Sequence, residues 1–221
     1  RNKVIVVGSG PIRIGQGIEF DYCSVHAAKT LKERGVFGVL INSNPETVST
    51  DFDTSDRLYF EPLDDESVRD IIENESFVDD HGSHITPETV VQFGGQTAIN
   101  LSQSLSSNDL PILGSSAQAI NQASDRQLFE EFLRDVGIPN PPGSTVSNLD
   151  QALNVAQSVG YPVLVRPSYV LGGRAMEIVH GPDDLAVFMD EALAAGGGRR
   201  VLIDKYFEGK EVEVDAICDG E

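Results

Sequence analysis

The stretch Val4-Ile5-Val6-Val7-Gly8-Ser9-Gly10-Pro11-Ile12-Arg13 places four apolar residues directly before a glycine-rich turn. Such a run predicts a buried strand, and the glycines predict a sharp turn at its carboxyl end. A helical pattern over Cys23–Arg34, which ends at Gly35, comes next, and Gly38–Asn42 predicts a second strand. This order of strand, turn, helix and strand favours a parallel sheet.

The alternation of strand and helix patterns continues along the first half of the chain. Strands are predicted at Arg57–Phe60 and Thr89–Phe93, and helices at Glu66–Glu73 and Gln96–Leu105. The stretch Asn74–Pro87 has the least pattern and is predicted to be an exposed insertion. This alternation of strands and helices predicts an α/β unit whose parallel sheet carries helices on both faces.

The clearest domain boundary in the sequence is the run Pro139-Asn140-Pro141-Pro142-Gly143, because prolines remove backbone donors and stiffen the chain. Beyond it, strand patterns come in pairs separated by short loops, which is typical of an α+β unit. The elements predicted from there on are helices at Leu149–Val159 and Pro182–Ala195, and strands at Val163–Val165, Met176–Val179, Val201–Asp204 and Glu211–Ile217.

The composition is that of an ordinary globular protein with an unusual charge. The formal net charge is -19, which argues against nonspecific binding to nucleic acid. Lysine is scarce, with 5 Lys against 11 Arg, and 19 of the 35 acidic residues are Asp. We therefore consider two explanations, a surface adapted to high salt and a simply acidic enzyme.

Two cysteines, Cys23 and Cys218, lie far apart and form no Cys-x-x-Cys pair, which favours a reduced, cytoplasmic protein. No apolar stretch approaches the length of a membrane span. The chain has no initiator Met and ends directly after a strand-like run, so we expect it to be a piece of a longer polypeptide.

The Gly8-Ser9-Gly10 turn opens like a dinucleotide-binding fingerprint, but two departures disfavour an NAD site. Arg13 occupies the position of the third glycine, and Asn42-Ser43-Asn44 stands where an acidic ribose ligand is expected. A glycine-rich turn that meets a neighbouring domain or ligand is the favoured interpretation.

The run Arg166-Pro167-Ser168-Tyr169-Val170-Leu171-Gly172-Gly173-Arg174 lies between two predicted strands. Its Gly-Gly pair lets backbone N–H groups approach a ligand closely, and guanidinium groups bind phosphate oxygens. The segment predicts either a loop that covers a polyphosphate or a surface hairpin with two solvated arginines. Its context decides between them.

Several long motifs together resemble the large chain of carbamoyl phosphate synthetases. They are Gly8–Cys23, Asn44–Asp51, Phe93–Thr97 and Arg166–Val179, in the order found in that family. The resemblance covers nearly the whole chain, with Asn74–Pro87 as the clearest departure. It implies a Rossmann-like pre-ATP-grasp domain at residues 1–122 and the first, α+β part of an ATP-grasp domain at residues 123–221.

Two motifs have residues that resemble the second of the family's two synthetase halves. They are Gln16-Gly17-Ile18-Glu19 and Gly172-Gly173-Arg174-Ala175-Met176. That half is expected to phosphorylate carbamate with ATP and Mg²⁺, as an ATP-dependent carbon–nitrogen ligase that serves arginine and pyrimidine synthesis. The implied partners are the small glutaminase subunit, which supplies ammonia, and the other synthetase half, which supplies carbamate made from bicarbonate. No nucleic acid or membrane partner is implied.

The resemblance assigns phosphate-binding roles to residues in two places. Arg126 matches an arginine that reaches the nucleotide phosphates, and Arg166 matches a second one at the end of a strand. Gly172 and Gly173 match the lid over the triphosphate, with a less defined role for Arg174. Arg126 and Arg166 are thus the catalytic candidates.

The resemblance assigns nucleoside binding to the segment at the end of the predicted strand Val201–Asp204. Asp204-Lys205-Tyr206-Phe207 resembles the hinge whose backbone meets the adenine edge, where Lys205 and Phe207 offer backbone atoms and the Phe207 ring packs on the base. Glu211 resembles the acid that accepts ribose hydroxyls. Glu213 stays open as an alternative because the spacing departs from the family pattern by about one residue.

The metal ligands of ATP-grasp enzymes are expected beyond residue 221, so no metal ligand is assigned here and the chain alone is expected to be inactive and to bind ATP weakly. Two other functions stay open. One is another ATP-grasp ligase such as a biotin carboxylase, which lacks the motifs at Asn44–Thr47 and Phe20–Tyr22. The other is a homologous interaction module without catalysis.

The high-salt explanation predicts that the melting temperature rises between roughly 0.05 M and 2 M KCl, because screening weakens the repulsion among the acidic side chains. Thermal unfolding followed by circular dichroism at both concentrations measures the shift. An unchanged melting temperature would contradict a surface adapted to salt.

Overall fold

The computed structural model describes residues 2–12, 18–167, 176–195, 200–214 and 216. It divides the chain into two compact units, Arg1–Gly137 and Ile138–Glu221, which we call the first and the second unit. The boundary between the two domains that the sequence places between residues 122 and 123 stays a prediction. Within the described residues, no helix combines the length and the apolar character needed to cross a membrane.

The first unit alternates strands and helices, as the sequence predicts. Its elements are β1 (Lys3–Val7), α1 (Glu19–Glu33), β2 (Phe37–Ile41), a 3₁₀ turn (Val48–Thr50), β3 (Arg57–Tyr59), α2 (Asp65–Glu75), β4 (Phe77–Val78), β5 (His84–Ile85), β6 (Glu88–Val90), α3 (Gly95–Ile99), α4 (Ser102–Ser107), α5 (Ala117–Ser124) and α6 (Arg126–Asp135).

The main sheet of the first unit has the strand order β3-β2-β1-β6, and every neighbouring pair is parallel. Ile5 and Val39 pack in a core with Val68 and Ile72 of α2. Val6, on the opposite face of β1, is buried as well. Burial on both faces is what a parallel sheet with covering helices requires, so the predicted α/β class is confirmed.

Three predicted boundaries in the first unit are wrong. Helix α1 begins at Glu19 instead of Cys23, since acidic residues in its first turn favour the amino end of a helix. The predicted helix Gln96–Leu105 is two helices, and between them Leu101 donates to the carbonyl of Ala98 in a tighter turn. The supposed insertion Asn74–Pro87 contains the antiparallel pair β4 and β5.

The same segment contains a buried carboxylate, which an exposed insertion would not have. Glu75 has no exposed surface. It accepts hydrogen bonds from Lys3 at 2.9 Å, from Arg57 and from the Tyr59 hydroxyl. A buried charge is tolerated because these three donors, from strands β1 and β3, surround it. Glu75 therefore ties the end of α2 to strands β1 and β3.

The pKa of Glu75 is lowered from its ordinary value of 4.5. Burial acts to raise this pKa, but the hydrogen bonds from Tyr59, Lys3 and Arg57 outweigh it. A carboxyl group with a lowered pKa in the folded state stabilises the fold above pH 4.5, and this contribution is lost as the pH falls through the folded-state pKa.

The second unit is an antiparallel sheet covered by two helices. Its elements are β7 (Gly143–Val146), α7 (Leu149–Val159), β8 (Val163–Pro167), β9 (Glu177–Val179), α8 (Pro182–Ala195) and β10 (Val201–Lys205). The strand order is β7-β10-β8-β9, and all three pairs are antiparallel. Helices α7 and α8 have the predicted bounds, and the α+β character of this unit is confirmed.

The strand predicted at Glu211–Ile217 is wrong over the residues that the structure describes there, 211–214 and 216. None of these residues lies in a strand, and Val212 and Val214 are 73% and 82% exposed. A strand needs a neighbour that shares its ladder of hydrogen bonds, and alternation of residue types alone does not provide one.

Replacement of Glu75 by Ala should lower the free energy of unfolding by about 3 kcal/mol, because Lys3, Arg57 and Tyr59 lose a shared buried acceptor. Urea denaturation measures the change. The matched control is Glu73→Ala on the same helix, whose side chain is 63% exposed and should contribute less than about 0.5 kcal/mol. Equal effects of the two substitutions would contradict the structural role of Glu75.

Candidate phosphate-binding face

The two faces of the second sheet differ in what covers them. Val163, Val165, Val201 and Ile203 pack in a core with α7 and α8. The cross-strand register places the alternate residues on the other face, which we call the Arg166 face. Its members are Gly143, Thr145, Leu164, Arg166, Ile178, Leu202 and Asp204.

Arg166 and Asp204 are neighbours on the Arg166 face. Arg166 pairs with Leu202 and Asp204 pairs with Leu164, so the two charged residues are diagonal partners on adjacent strands. The distance from Arg166 Nη2 to Asp204 Oδ2 is 3.8 Å, and the side chains are 44% and 13% exposed. A guanidinium with this exposure can donate further hydrogen bonds to an anion such as a phosphate group.

Gly143 lies opposite Asp204 in the neighbouring strand. A Cβ atom at Gly143 would approach Asp204 Oδ1 to 2.2 Å and the carbonyl oxygen of Ile203 to 2.4 Å. Only glycine leaves room for the carboxylate at this position. The residue that ends the proline-rich boundary is thus also part of the Arg166 face.

The amine of Lys205 lies away from Arg166. The register places Lys205 on the same face as Val163, and its Nζ donates to the carbonyl oxygens of Gly160 at 3.0 Å and Tyr161 at 2.8 Å. The amine therefore holds the loop before β8 in place. This arrangement agrees with a site role for the backbone of Lys205 instead of its charge.

One backbone atom of Lys205 is open for such a role. Its N–H donates to the carbonyl of Pro142 at 2.8 Å. A hydrogen-bonded antiparallel pair exchanges two bonds, but residue 142 is a proline and has no N–H to return. The carbonyl oxygen of Lys205 consequently lacks this ladder partner and can accept a hydrogen bond from an amino group.

The other predicted nucleoside residues follow in an irregular segment. Phe207 is 62% exposed, which leaves its ring available for stacking. Glu211 and Glu213 are both exposed. The geometry of this segment does not separate them as candidates for the ribose hydroxyls.

The remaining predicted residues are the lid residues and Arg126. Gly172, Gly173 and Arg174 lie outside the described residues. Arg126 begins α6 in the first unit, directly after Asp125, whose carboxylate accepts the N–H of Leu128 as the helix cap. The cap fixes where the helix starts and therefore the position of Arg126 in its first turn.

Sequence reasoning missed three contributors, namely the Asp204 carboxylate, Gly143 and Pro142. Asp204 was assigned only to the hinge, and the other two only to a domain boundary. The available signal was the alternation of residues in two separate strands, but it becomes informative only when the register between them is known.

Two glycines of the first unit lie at places where the chain packs closely. A Cβ atom at Gly8 would lie 2.6 Å from Asn42 Cγ, and one at Gly94 would lie 2.2 Å from the Gly8 carbonyl oxygen. The buried Asn42 also accepts the N–H of Gly10 at 2.9 Å. Gly8 and Gly94 therefore permit close packing within the first unit, which agrees with a packing role for these glycines.

The described residues contain no group of three or more His, Cys, Asp or Glu side chains that could hold a metal ion. On the Arg166 face, Asp204 is the acidic member. These residues do not fit a magnesium site by themselves.

The fold is similar to that of a biotin carboxylase domain of known structure. The biotin carboxylase domain of 2-oxoglutarate carboxylase from Hydrogenobacter thermophilus, in complex with MgADP, ADP and bicarbonate, superposes with a TM-score of 0.67. The match covers 94% of this chain and 44% of that one, at 22% sequence identity. At this identity the likeness concerns the fold alone.

Sequence comparison gives the family. Residues 1–122 match the carbamoyl phosphate synthase preATP-grasp domain, and residues 125–221 match the ATP binding domain of the carbamoyl-phosphate synthase L chain. The chain belongs to the carbamoyl phosphate synthase large-chain family.

Two relatives illustrate the match. The carbamoyl phosphate synthase large chain of Thermomicrobium roseum is 56% identical over 218 residues, which are 99% of this chain and 20% of that protein. The C-terminal section of the large chain of Methanocaldococcus jannaschii is 54% identical over 222 residues, 100% of this chain and 35% of that protein. The chain thus spans about a third or less of these relatives.

Replacement of Lys205 by Met keeps the aliphatic stem but removes the donor to two carbonyl groups, so we expect a loss of about 2 kcal/mol in the free energy of unfolding. Chemical denaturation measures it, with the exposed Lys210→Met as the matched control. If both variants unfold at the same denaturant concentration as the unaltered chain, the amine does not anchor the loop.

Proposed function

We propose that this chain is part of the half of a carbamoyl phosphate synthase large chain that phosphorylates carbamate with ATP. The observation that carries the proposal is the exposed Arg166 guanidinium beside Asp204 on one face of the second sheet. The 54% identity to a relative named as a C-terminal section supports the assignment to the second half.

In the proposed reaction, a carbamate oxygen attacks the γ-phosphorus of ATP. The bond from this phosphorus to the β,γ-bridging oxygen breaks, and ADP leaves as carbamoyl phosphate forms. Charge develops on the transferring oxygens, so Arg166 and Arg126 act by binding and orienting them. Mg²⁺ would neutralise phosphate charge in such a reaction, but no step is assigned to it here because the described residues do not fit its site.

The nucleoside is proposed to bind next to the phosphates at the end of β10. The carbonyl oxygen of Lys205 would accept a hydrogen bond from the adenine amino group, and the Phe207 ring would pack on the base. Glu211 would accept the ribose hydroxyls, with Glu213 as the alternative. Gly172 and Gly173 would cover the triphosphate with their backbone N–H groups.

The wider setting follows from the family and is part of the same proposal. A small glutaminase subunit would supply ammonia, and the other synthetase half would supply carbamate. Because carbamate decomposes in water, the site must exclude water during the transfer. We place the enzyme in the cytoplasm, in arginine and pyrimidine synthesis.

Phosphoryl transfer is reversible, so the natural polypeptide that contains this sequence should form ATP from ADP and carbamoyl phosphate. An Arg166→Ala variant should lose roughly a hundredfold of this rate, because a charged donor to the transferring group is removed. Luciferase detection of ATP measures the rate. The matched control is Arg69→Ala, which removes an exposed arginine of α2 and should leave the rate within about twofold.

The proposed function is wrong if the polypeptide forms no ATP from these substrates. It is also wrong in its assignment of the site if the Arg166 and Arg69 variants are equally active.

A further inference from the structure

We propose that Asp204 is a positioning residue that holds the Arg166 guanidinium in the orientation that receives the nucleotide phosphates. The inference rests on the proposed function, because it assumes that Arg166 binds phosphate. It adds a role for a residue that the sequence resemblance assigns only to the hinge.

Arg166 and Asp204 lie close together on one face of the sheet. Arg166 and Asp204 occupy diagonal positions on adjacent antiparallel strands, on the face opposite α7 and α8. Asp204 Oδ2 lies 3.8 Å from Arg166 Nη2, so it engages one end of the guanidinium and leaves the remaining N–H groups for a ligand.

Asp204 and Arg166 differ in how far their side chains are exposed to solvent. The Asp204 side chain is 13% exposed, whereas that of Arg166 is 44% exposed. Asp204 has a short side chain in the middle of the sheet, with Leu164 and Gly143 in the strands on either side. The carboxylate is therefore the fixed member of the pair, and the longer, more exposed arginine is the member that it orients.

Gly143 leaves room beside the Asp204 carboxylate because it has no side chain. A Cβ atom at Gly143 would come to 2.2 Å from Asp204 Oδ1, so any larger residue would displace it. The glycine thus protects the contact between Asp204 and Arg166.

Two opposing effects make the inference testable. A carboxylate close to the site repels phosphate, which weakens binding. An arginine that is already oriented loses less conformational freedom when it binds, which strengthens binding. The proposal requires that orientation outweighs repulsion, so that removal of the carboxylate charge weakens binding.

The experiment is a double-mutant cycle in the natural polypeptide that contains this sequence. Isothermal titration calorimetry measures the affinity for the ATP analogue AMPPNP and for inorganic tripolyphosphate, which lacks the nucleoside. The variants are Asp204→Asn, Asp204→Glu, Arg166→Ala and the double variant Asp204→Asn/Arg166→Ala. Asp190→Asn removes an exposed carboxylate from α8 in the same unit and serves as the control.

Asp204→Asn should weaken both ligands by roughly tenfold. Asp204→Glu should recover part of the loss because it restores the charge. In the double variant, Asp204→Asn should add no further loss to that of Arg166→Ala, since its favourable effect acts through that arginine. Circular dichroism checks the fold, and the Glu variant keeps the test decisive if the Asn variant unfolds.

Tighter or unchanged binding by Asp204→Asn would overturn the inference, as would additive losses in the double variant. A loss confined to AMPPNP would also overturn it, because Asp204 would then act on the nucleoside. If Arg166→Ala leaves both affinities unchanged, or if the unaltered polypeptide binds neither ligand, the proposed phosphate site itself fails.

Discussion

The antiparallel register between β8 and β10 is the constraint on which the candidate site depends. Leu202 lies opposite Arg166, and Leu164 lies opposite Asp204. Because successive side chains of a strand alternate between faces, this register sends Val163, Val165, Val201 and Ile203 to the helices and both charged residues to the other face. A shift by one residue would bury Arg166 against α7 and α8. The same core that stabilises the second unit therefore also selects which residues can meet a ligand.

Much of the fold could be predicted from the sequence because the signals were local. Helix α7 has the predicted bounds, with Asn148 as its cap and Gly160 at its end. Glu75 shows the limit of local signals, since its partners Lys3 and Arg57 come from distant strands. A polar, weakly patterned segment gives no sign that one of its acids is buried. The strand expected at Glu211–Ile217 failed for a related reason, because pairing depends on a neighbour.

The site could be predicted only in part. Arg166 was found from its motif, and the structure places it at an exposed position on a sheet face. Its contact with Asp204 depends on pairing between segments nearly forty residues apart, which no local pattern encodes. Conversely, the Gly8-Ser9-Gly10 turn has a strong local pattern, yet its Gly8 packs against the Asn42 side chain, which also accepts the N–H of Gly10. Glycines that permit close packing and glycines that admit a ligand have the same sequence signal.

The central claim is that the Arg166 face of the second unit binds the nucleotide. Backbone ¹⁵N NMR spectra of the chain, recorded during titration with AMPPNP, test this claim most directly because they locate the binding surface. If the nucleotide binds this face, we expect the largest backbone chemical-shift changes at Leu164, Arg166, Asp204 and Lys205. Shifts concentrated instead at the Gly8–Gly10 turn and Asn42 of the first unit would contradict it.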